Sequence, residues 1–318
     1  MHIETLDAWI PELDAVAAAS PQATFYHTGA WMGALAAAYP RMSLRVLLAR
    51  RDGCAVAFLP YVETRRGLLR TLWSLPFGTY GGPVGEEQAC GQLLRCYREL
   101  ASGAGVVGVG CIDYHNALDH ADWSVTDLST HVVDISGGFD RVWRECFDKP
   151  RRRRARRAEE SGVTVRRGGG GEDVARFMDV YRERLDDWKS GSGHPESLFH
   201  ELLSRGGEHV RLYLAEHEGR VVGGHLNFYH RDAVIAWYGM TSARAGDTQA
   251  GTLLYLVCMR DACAAGYRTY NLGASLGKRS LIEYKQSLGG VPYAYRMLRR
   301  QRLGGHLAAL VRRVSRSA

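Results

Sequence analysis

Hydrophobic and polar residues alternate along two segments of the chain that can be laid on one another. Arg45 to Ala57 reads RVLLARRDGCAVA and Arg211 to Gly223 reads RLYLAEHEGRVVG, with Arg, Leu, Ala, Gly and Val coinciding at five of thirteen positions, against about one expected by chance. Each segment alternates, breaks at a two-residue turn (Asp52-Gly53 or Glu218-Gly219) and alternates again, which is the pattern of a β-hairpin. An aromatic-rich strand is predicted after each hairpin, over Thr71 to Tyr80 and Ala233 to Met240. A helix follows in both copies, over Glu86 to Ser102 and over Thr252 to Ala265, where Leu253, Leu256, Val257 and Met259 supply a buried face. Strands at Val106 to Asp113 and Thr269 to Gly273 close the two units.

The order helix, hairpin, strand, helix, strand, met twice, predicts an α/β fold with mixed α+β sheets, duplicated within one chain. A length of 318 residues suits two such units, and the boundary is expected near residue 145, giving domains 1–145 and 146–318. A basic helix over Asp148 to Ser161 and a glycine turn at Gly168 to Gly171 open the second domain.

Composition narrows the class. Hydrophobic residues at 46% and charged residues at 24% are globular values. The N-terminus has no basic, apolar leader and no apolar run approaches the roughly 20 residues of a membrane span, so a soluble, cytoplasmic, monomeric protein is expected. Seven cysteines and twelve histidines show no metal-ligand or disulfide spacing, and no metal is expected. The net charge of +7 is concentrated: Lys149 to Arg157 holds seven cations in nine positions, and seven more arginines lie between Arg296 and Arg316, beside a short helix patterned by Leu307, Leu310, Val311 and Val314. On a helix Arg152 and Arg156 share a face, which suits a phosphate backbone.

Three segments resemble the FemX/FemAB family of tRNA-dependent aminoacyltransferases, whose members carry two tandem GNAT-like domains. Arg152 to Val163 (RRRARRAEESGV) resembles the family's basic helix with its Ala-Glu pair before Gly-Val. Tyr270 to Ser275 (YNLGAS) followed by Tyr284 to Gly289 (YKQSLG) is similar to the family's strand, glycine turn and aromatic-Lys-x-x-aromatic-Gly signature, with Leu288 in place of the second aromatic. Leu75 to Pro83 (LPFGTYGGP) resembles the Pro-Phe-x-x-Tyr-Gly loop of the first domain. The long coiled-coil arm of some members is absent from the sequence.

The resemblance implies transfer of an amino acid from aminoacyl-tRNA, as co-substrate, onto an amine of a peptidoglycan precursor or a small molecule such as an antibiotic intermediate, without a bound cofactor. It assigns Lys285 to stabilising the reacting group. It also implies proton transfer assisted by the donor's terminal ribose rather than one indispensable protein base. Asp113, at the end of its strand, and Tyr80 and Tyr238, at matching points of the two repeats, are candidate acceptor contacts, each weighed against a turn-cap or core role. Arg152, Arg153, Arg156 and Arg157 are candidate tRNA contacts. Thr241 to Leu254 (TSARAGDTQAGTLL) lacks the glycine loop that holds the coenzyme A pyrophosphate, which disfavours acyl-CoA. An N-acyltransferase using acyl-CoA or an acyl carrier protein, and a non-catalytic nucleic-acid-binding module, remain the alternatives.

Overall fold

Both predicted hairpins form, and their turns show why. Asp52 and Gly53 have φ of 51° and 82°, and Glu218 and Gly219 have 50° and 74°. Two consecutive left-handed residues give the tight turn whose twist matches paired strands. The computed structural model describes residues 1–187, 193–275 and 277–301; the helix expected around Leu307 to Val314 lies outside the described residues.

In chain order the elements are β1 (His2–Leu6), α1 (Pro11–Ala19), α2 (Gly29–Ala38), β2 (Ser43–Arg51), β3 (Cys54–Arg66), β4 (Leu69–Ser74), β5 (Val84–Gly85), α3 (Glu87–Glu99), β6 (Val106–Asp113), β7 (Ser124–Asp134), α4 (Phe139–Arg141), α5 (Lys149–Glu160), β8 (Thr164–Gly168), α6 (Gly171–Asp187), α7 (Glu196–Gly206), β9 (Val210–His217), β10 (Arg220–His230), β11 (Ala233–Thr241), α8 (Ala250–Ala264), β12 (Thr269–Ala274), α9 (Arg279–Ser287) and β13 (Val291–Gln301). The chain divides into two units. The first is Met1–Leu128 with the chain from Ala294, and the second is Ser129–Tyr293.

That division differs from the expected boundary near 145, for a reason of strand pairing. Asp134 to Thr130 of β7 pair with β12 in the second unit, while Arg296 to Gln301 of β13 pair with β6 in the first. Each unit therefore includes a strand end from across the sequence boundary.

The strands of unit 1 run in the order β1-β2-β3-β4-β6-β13, and those of unit 2 in the order β7-β12-β11-β10-β9-β8. In each, one pair is parallel, β4 with β6 and β11 with β12, joined by the crossover helices α3 and α8. The run Val46-Leu47-Leu48-Ala49 is apolar throughout because the unit 1 sheet is covered on both faces: Leu47 and Ala49 pack beneath α3 with Leu93 and Tyr97, and Val46 and Leu48 pack beneath α1 with Leu13 and Ala17. In unit 2, Tyr229, Val234, Tyr270 and Leu272 form a core with Leu253, Leu254 and Cys258 of α8. Gly224, on the opposite face, lies close against the Phe177 ring of α6. Among the described residues, no helix is long and apolar enough to cross a membrane.

Candidate active site

The two parallel strand pairs end differently, and the difference creates the site. In unit 1, β4 stops at Ser74 because Leu75 and Phe77 take φ of 64° and 66°, so the strand expected to reach Tyr80 becomes a loop. This loop folds back on the strand ends: Gly81 N–H donates to the Ile112 carbonyl at 2.9 Å, Gly82 N–H to Ser74 Oγ at 2.8 Å, and Ser74 Oγ to the Pro60 carbonyl at 2.7 Å. The carbonyl just beyond the last β4–β6 pair is thus satisfied by a peptide N–H.

In unit 2, β11 and β12 pair only over Ala233 to Ile235 and Thr269 to Asn271. Beyond that point β12 turns, with Gly273 at φ 76° and its N–H donating to Asn271 Oδ1 at 2.8 Å. The carbonyls of Gly273 and Ala274 are taken by the ammonium of Lys285, whose Nζ donates to them at 2.6 and 2.8 Å. Lys285 projects from α9 and is 3% exposed, so a solvated surface role is excluded. Burial pulls its pKa from 10.5 down to about 8, because a charge taken out of water is disfavoured. An ammonium has three N–H donors, and the two carbonyls use two of them.

Behind Lys285 lies a residue that the sequence reading did not single out. Arg151, in the first turn of α5, is 6% exposed. Its Nε donates to Ser287 Oγ at 3.0 Å, its Nη1 donates to Thr252 Oγ1 at 3.2 Å, and its guanidinium lies 4.3 Å from the centre of the Tyr284 ring. Burial lowers its pKa, and among the described residues no carboxylate forms an ion pair with it. Arg151 therefore ties the end of α9, which carries Lys285, to the first turn of α8. Spacing gave the signal: Arg151, Ala155 and Ala158 are the buried positions of α5, one stripe at i, i+4 and i+7.

The other arginines of α5 separate into two groups. Arg152, one of the expected phosphate contacts, donates its Nη1 to the carbonyls of Trp143, Arg144 and Phe147 at 3.1, 2.5 and 3.0 Å, closing the turn before the helix. Arg153, Arg154, Arg156 and Arg157 are exposed. Arg156 lies over the Trp143 ring at 5.8 Å, and none of the four is in an ion pair among the described residues. Several arginines elsewhere are matched with acids, as in Arg50 with Glu4 and Glu12, Arg166 with Asp173 and Glu216, and Arg205 with Glu201. The exposed face of α5 thus presents these four arginines, with Glu159 and Glu160 exposed at its end.

Of the expected acceptor contacts, Tyr80 and Asp113 line one cavity in unit 1 and Tyr238 lies in unit 2. Asp113 is 4% exposed and accepts the N–H groups of Ala117 and Leu118 at 3.2 and 3.0 Å, which is the local turn-capping role. Tyr80 is 5% exposed and stacks on Tyr114 at 4.1 Å. A cavity of about 20 Å³ beside Tyr80 and Asp113 has room for about one water. Tyr238, in unit 2, is half-buried against the rings of Tyr181 and His194 at 5.3 and 5.7 Å. Among the described residues, no group of acidic, histidine and cysteine side chains is arranged to hold a metal.

Residues 149–286 match the family model described as an acetyltransferase (GNAT) domain. No curated protein matches the chain. Among solved structures, FemX is similar over 92% of this chain and 96% of its own, with a TM-score of 0.73 at 14% identity. The C-terminal domain of a putative lysylphosphatidylglycerol synthetase from Agrobacterium fabrum matches over 86% and 87%, with a TM-score of 0.59 at 15% identity. A tandem GNAT protein from the clavulanic acid biosynthesis pathway matches over 96% and 100%, with a TM-score of 0.58 at 16% identity. The chain has the FemX-like tandem GNAT fold, and no coiled-coil arm occurs among the described residues.

Proposed function

We propose that the protein is an aminoacyltransferase that moves an amino acid from aminoacyl-tRNA to an amine, with Lys285 of unit 2 at the reacting carbonyl. The carrying observation is the buried ammonium at the end of β12. In the proposed reaction the acceptor nitrogen attacks the ester carbonyl and forms the C–N bond. The C–O bond to the terminal ribose then breaks, and the ribose oxygen leaves with a proton. Negative charge gathers on the carbonyl oxygen during attack, and the remaining N–H of Lys285 is suited to meet it there, where it stabilises the transition state more than the ground state.

The four exposed arginines of α5, in no ion pair among the described residues, support a polyanionic donor. The likeness to FemX and to a lysylphosphatidylglycerol synthetase domain supports the same reading. Acceptor classes compatible with it are a peptidoglycan-precursor amine and the amine of a small metabolite. A second reading, N-acyl transfer from acyl-CoA or an acyl carrier protein, is favoured by the match to an acetyltransferase domain model and by the first turn of α8, which has no acidic residue and no cap from the Gln249 side chain. Thr248 Oγ1 accepts the Ala250 N–H there at 3.4 Å, and the positive end of the helix dipole would favour a phosphate at that turn.

Purified protein is incubated with amine acceptors and either charged tRNA or acyl-CoA, with and without ribonuclease. Product from charged tRNA alone, abolished by ribonuclease and reduced about 100-fold or more in Lys285→Met, is expected. Ribonuclease-insensitive product from the thioester would overturn the tRNA reading. Transfer unaffected by Lys285→Met would overturn the assignment of the site.

A further inference from the structure

His131 lies on β7 within unit 2 and is 2% exposed, and neither Nδ1 nor Nε2 has a hydrogen-bond partner. A neutral imidazole has one N–H and one lone pair, and leaving either unmatched inside a protein is destabilising. Packing alone does not call for this side chain. Val133, two residues along the same face of β7, is fully buried in the apolar core, and an apolar residue at 131 would avoid the unmatched groups.

The backbone places His131 beside the Lys285 segment. At Gly290, just after α9, a Cβ would stand 2.8 Å from the Lys285 carbonyl oxygen, 2.8 Å from Leu272 Cδ1 and 3.0 Å from His131 Cβ. β7, β12 and the end of α9 therefore converge on one glycine that has no room for a side chain. Burial, and after it the nearby Lys285 charge, pushes the His131 imidazole's pKa below the usual histidine value. Ser275 Oγ, in the residue after the Ala274 carbonyl that Lys285 holds, is also buried without a partner.

We propose that His131 is the proton acceptor of the Lys285 site, taking a proton from the acceptor's ammonium so that the freed amine can attack. The proposal rests on the transferase reading above and departs from the ribose-assisted proton transfer that the family resemblance implies. The acceptor R–NH3+ gives one proton to the imidazole, and its lone pair forms the C–N bond. The C–O bond of the ester breaks, and the departing alkoxide takes the second proton of the nitrogen. The imidazolium then returns its proton to water. The neighbouring Lys285 charge favours that last step, since two cations side by side repel.

The test compares acceptors that do and do not need deprotonation. Wild type, His131→Gln and His131→Phe are assayed with an alkylamine acceptor, protonated at neutral pH, and with hydroxylamine, which is not. A general base contributes about 100-fold or more, so kcat/KM for the alkylamine is expected to fall by that factor in both variants. Hydroxamate formation from hydroxylamine should be little changed, and thermal unfolding retained. Equal loss with both nucleophiles would show a structural role and overturn the proposal, as would full alkylamine activity in His131→Gln. A second readout needs no substrate. The His131 ring, followed by nitrogen NMR, should titrate below the ordinary histidine range in wild type and move upward in Lys285→Met. An unmoved titration overturns the proposal even if no donor is accepted, whereas absence of product from every donor in wild type counts against the transferase reading instead.

Discussion

Lys285 gives the sharpest quantitative prediction, because its pKa in the fold lies below its unfolded value. The sign follows from proton counting. Between about pH 8 and 10.5 the unfolded chain holds a proton on this side chain that the folded chain has lost, so stability rises with pH across that window and is lowest below it. A displacement from 10.5 to about 8 corresponds to about 3 kcal/mol in all, at 1.36 kcal/mol per pKa unit. Integrating over the accessible range from about pH 7 to about pH 9.5 gives a rise of about 2 kcal/mol. Other groups titrate there too, so the quantity to measure is the difference between wild type and Lys285→Met in urea unfolding at each pH. Met loses the two carbonyl contacts at 2.6 and 2.8 Å, but that loss is independent of pH and leaves the slope intact. Wild type should therefore gain about 2 kcal/mol on the variant between these limits. A flat difference curve would mean that the ammonium is not destabilised by burial, and the case for a tuned cation would fail. If the charged form is the active one, kcat/KM should decline above about pH 8 in the same preparation.

Three further outcomes follow from other parts of the molecule. Gly81→Ala drives a Cβ into the Ser74 carbonyl, and because the obstacle is backbone, a loss of about 3 kcal/mol or more is expected in urea unfolding. Replacing Arg153, Arg154 and Arg157 together with Gln should weaken tRNA binding and reduce the slope of log K against log salt by roughly 2 to 3, with unfolding unchanged; an unaltered slope would remove α5 from the interface. Asp113→Ala gives up two N–H contacts and should cost about 1–2 kcal/mol of stability, while an unchanged acceptor KM would restrict Asp113 to its loop-capping role.

What the sequence disclosed and what it hid divide along the range of the interactions involved. The hairpins were readable because the left-handed turns at Asp52-Gly53 and Glu218-Gly219 and the flanking alternation are local. The helix of residues 149–160 was readable for the same reason, with Asp148 accepting the Arg151 N–H at its start. The pairing of β7 with β12 and of β13 with β6 was not, since it joins segments more than a hundred residues apart whose alternation does not name a partner. At the candidate site, a signature singles out Lys285 in the sequence, but its burial depends on where β12 leaves β11. Arg152 and Arg153 look alike in a run of arginines; only the carbonyls of Trp143, Arg144 and Phe147 distinguish the one from the other. His131 sits in an ordinary strand sequence, Thr-His-Val-Val-Asp, with no local sign of its neighbour.

The same topological problem is met in both units, and the two answers bear on function. Wherever parallel strands part, a carbonyl loses its ladder partner and has to be matched. Unit 1 matches the Ile112 carbonyl with the Gly81 N–H, a neutral donor that involves no buried charge. Unit 2 could be closed in the same way, yet it uses an ammonium whose burial lowers its pKa to about 8, a displacement worth about 3 kcal/mol. Carbonyl capping alone does not account for that cost, because a peptide N–H achieves it in the sister fold. What a peptide N–H lacks is a full positive charge, the property needed opposite a developing oxyanion. On this argument the proposed transfer falls to unit 2, and the unpaired imidazole of His131 is its proposed proton acceptor.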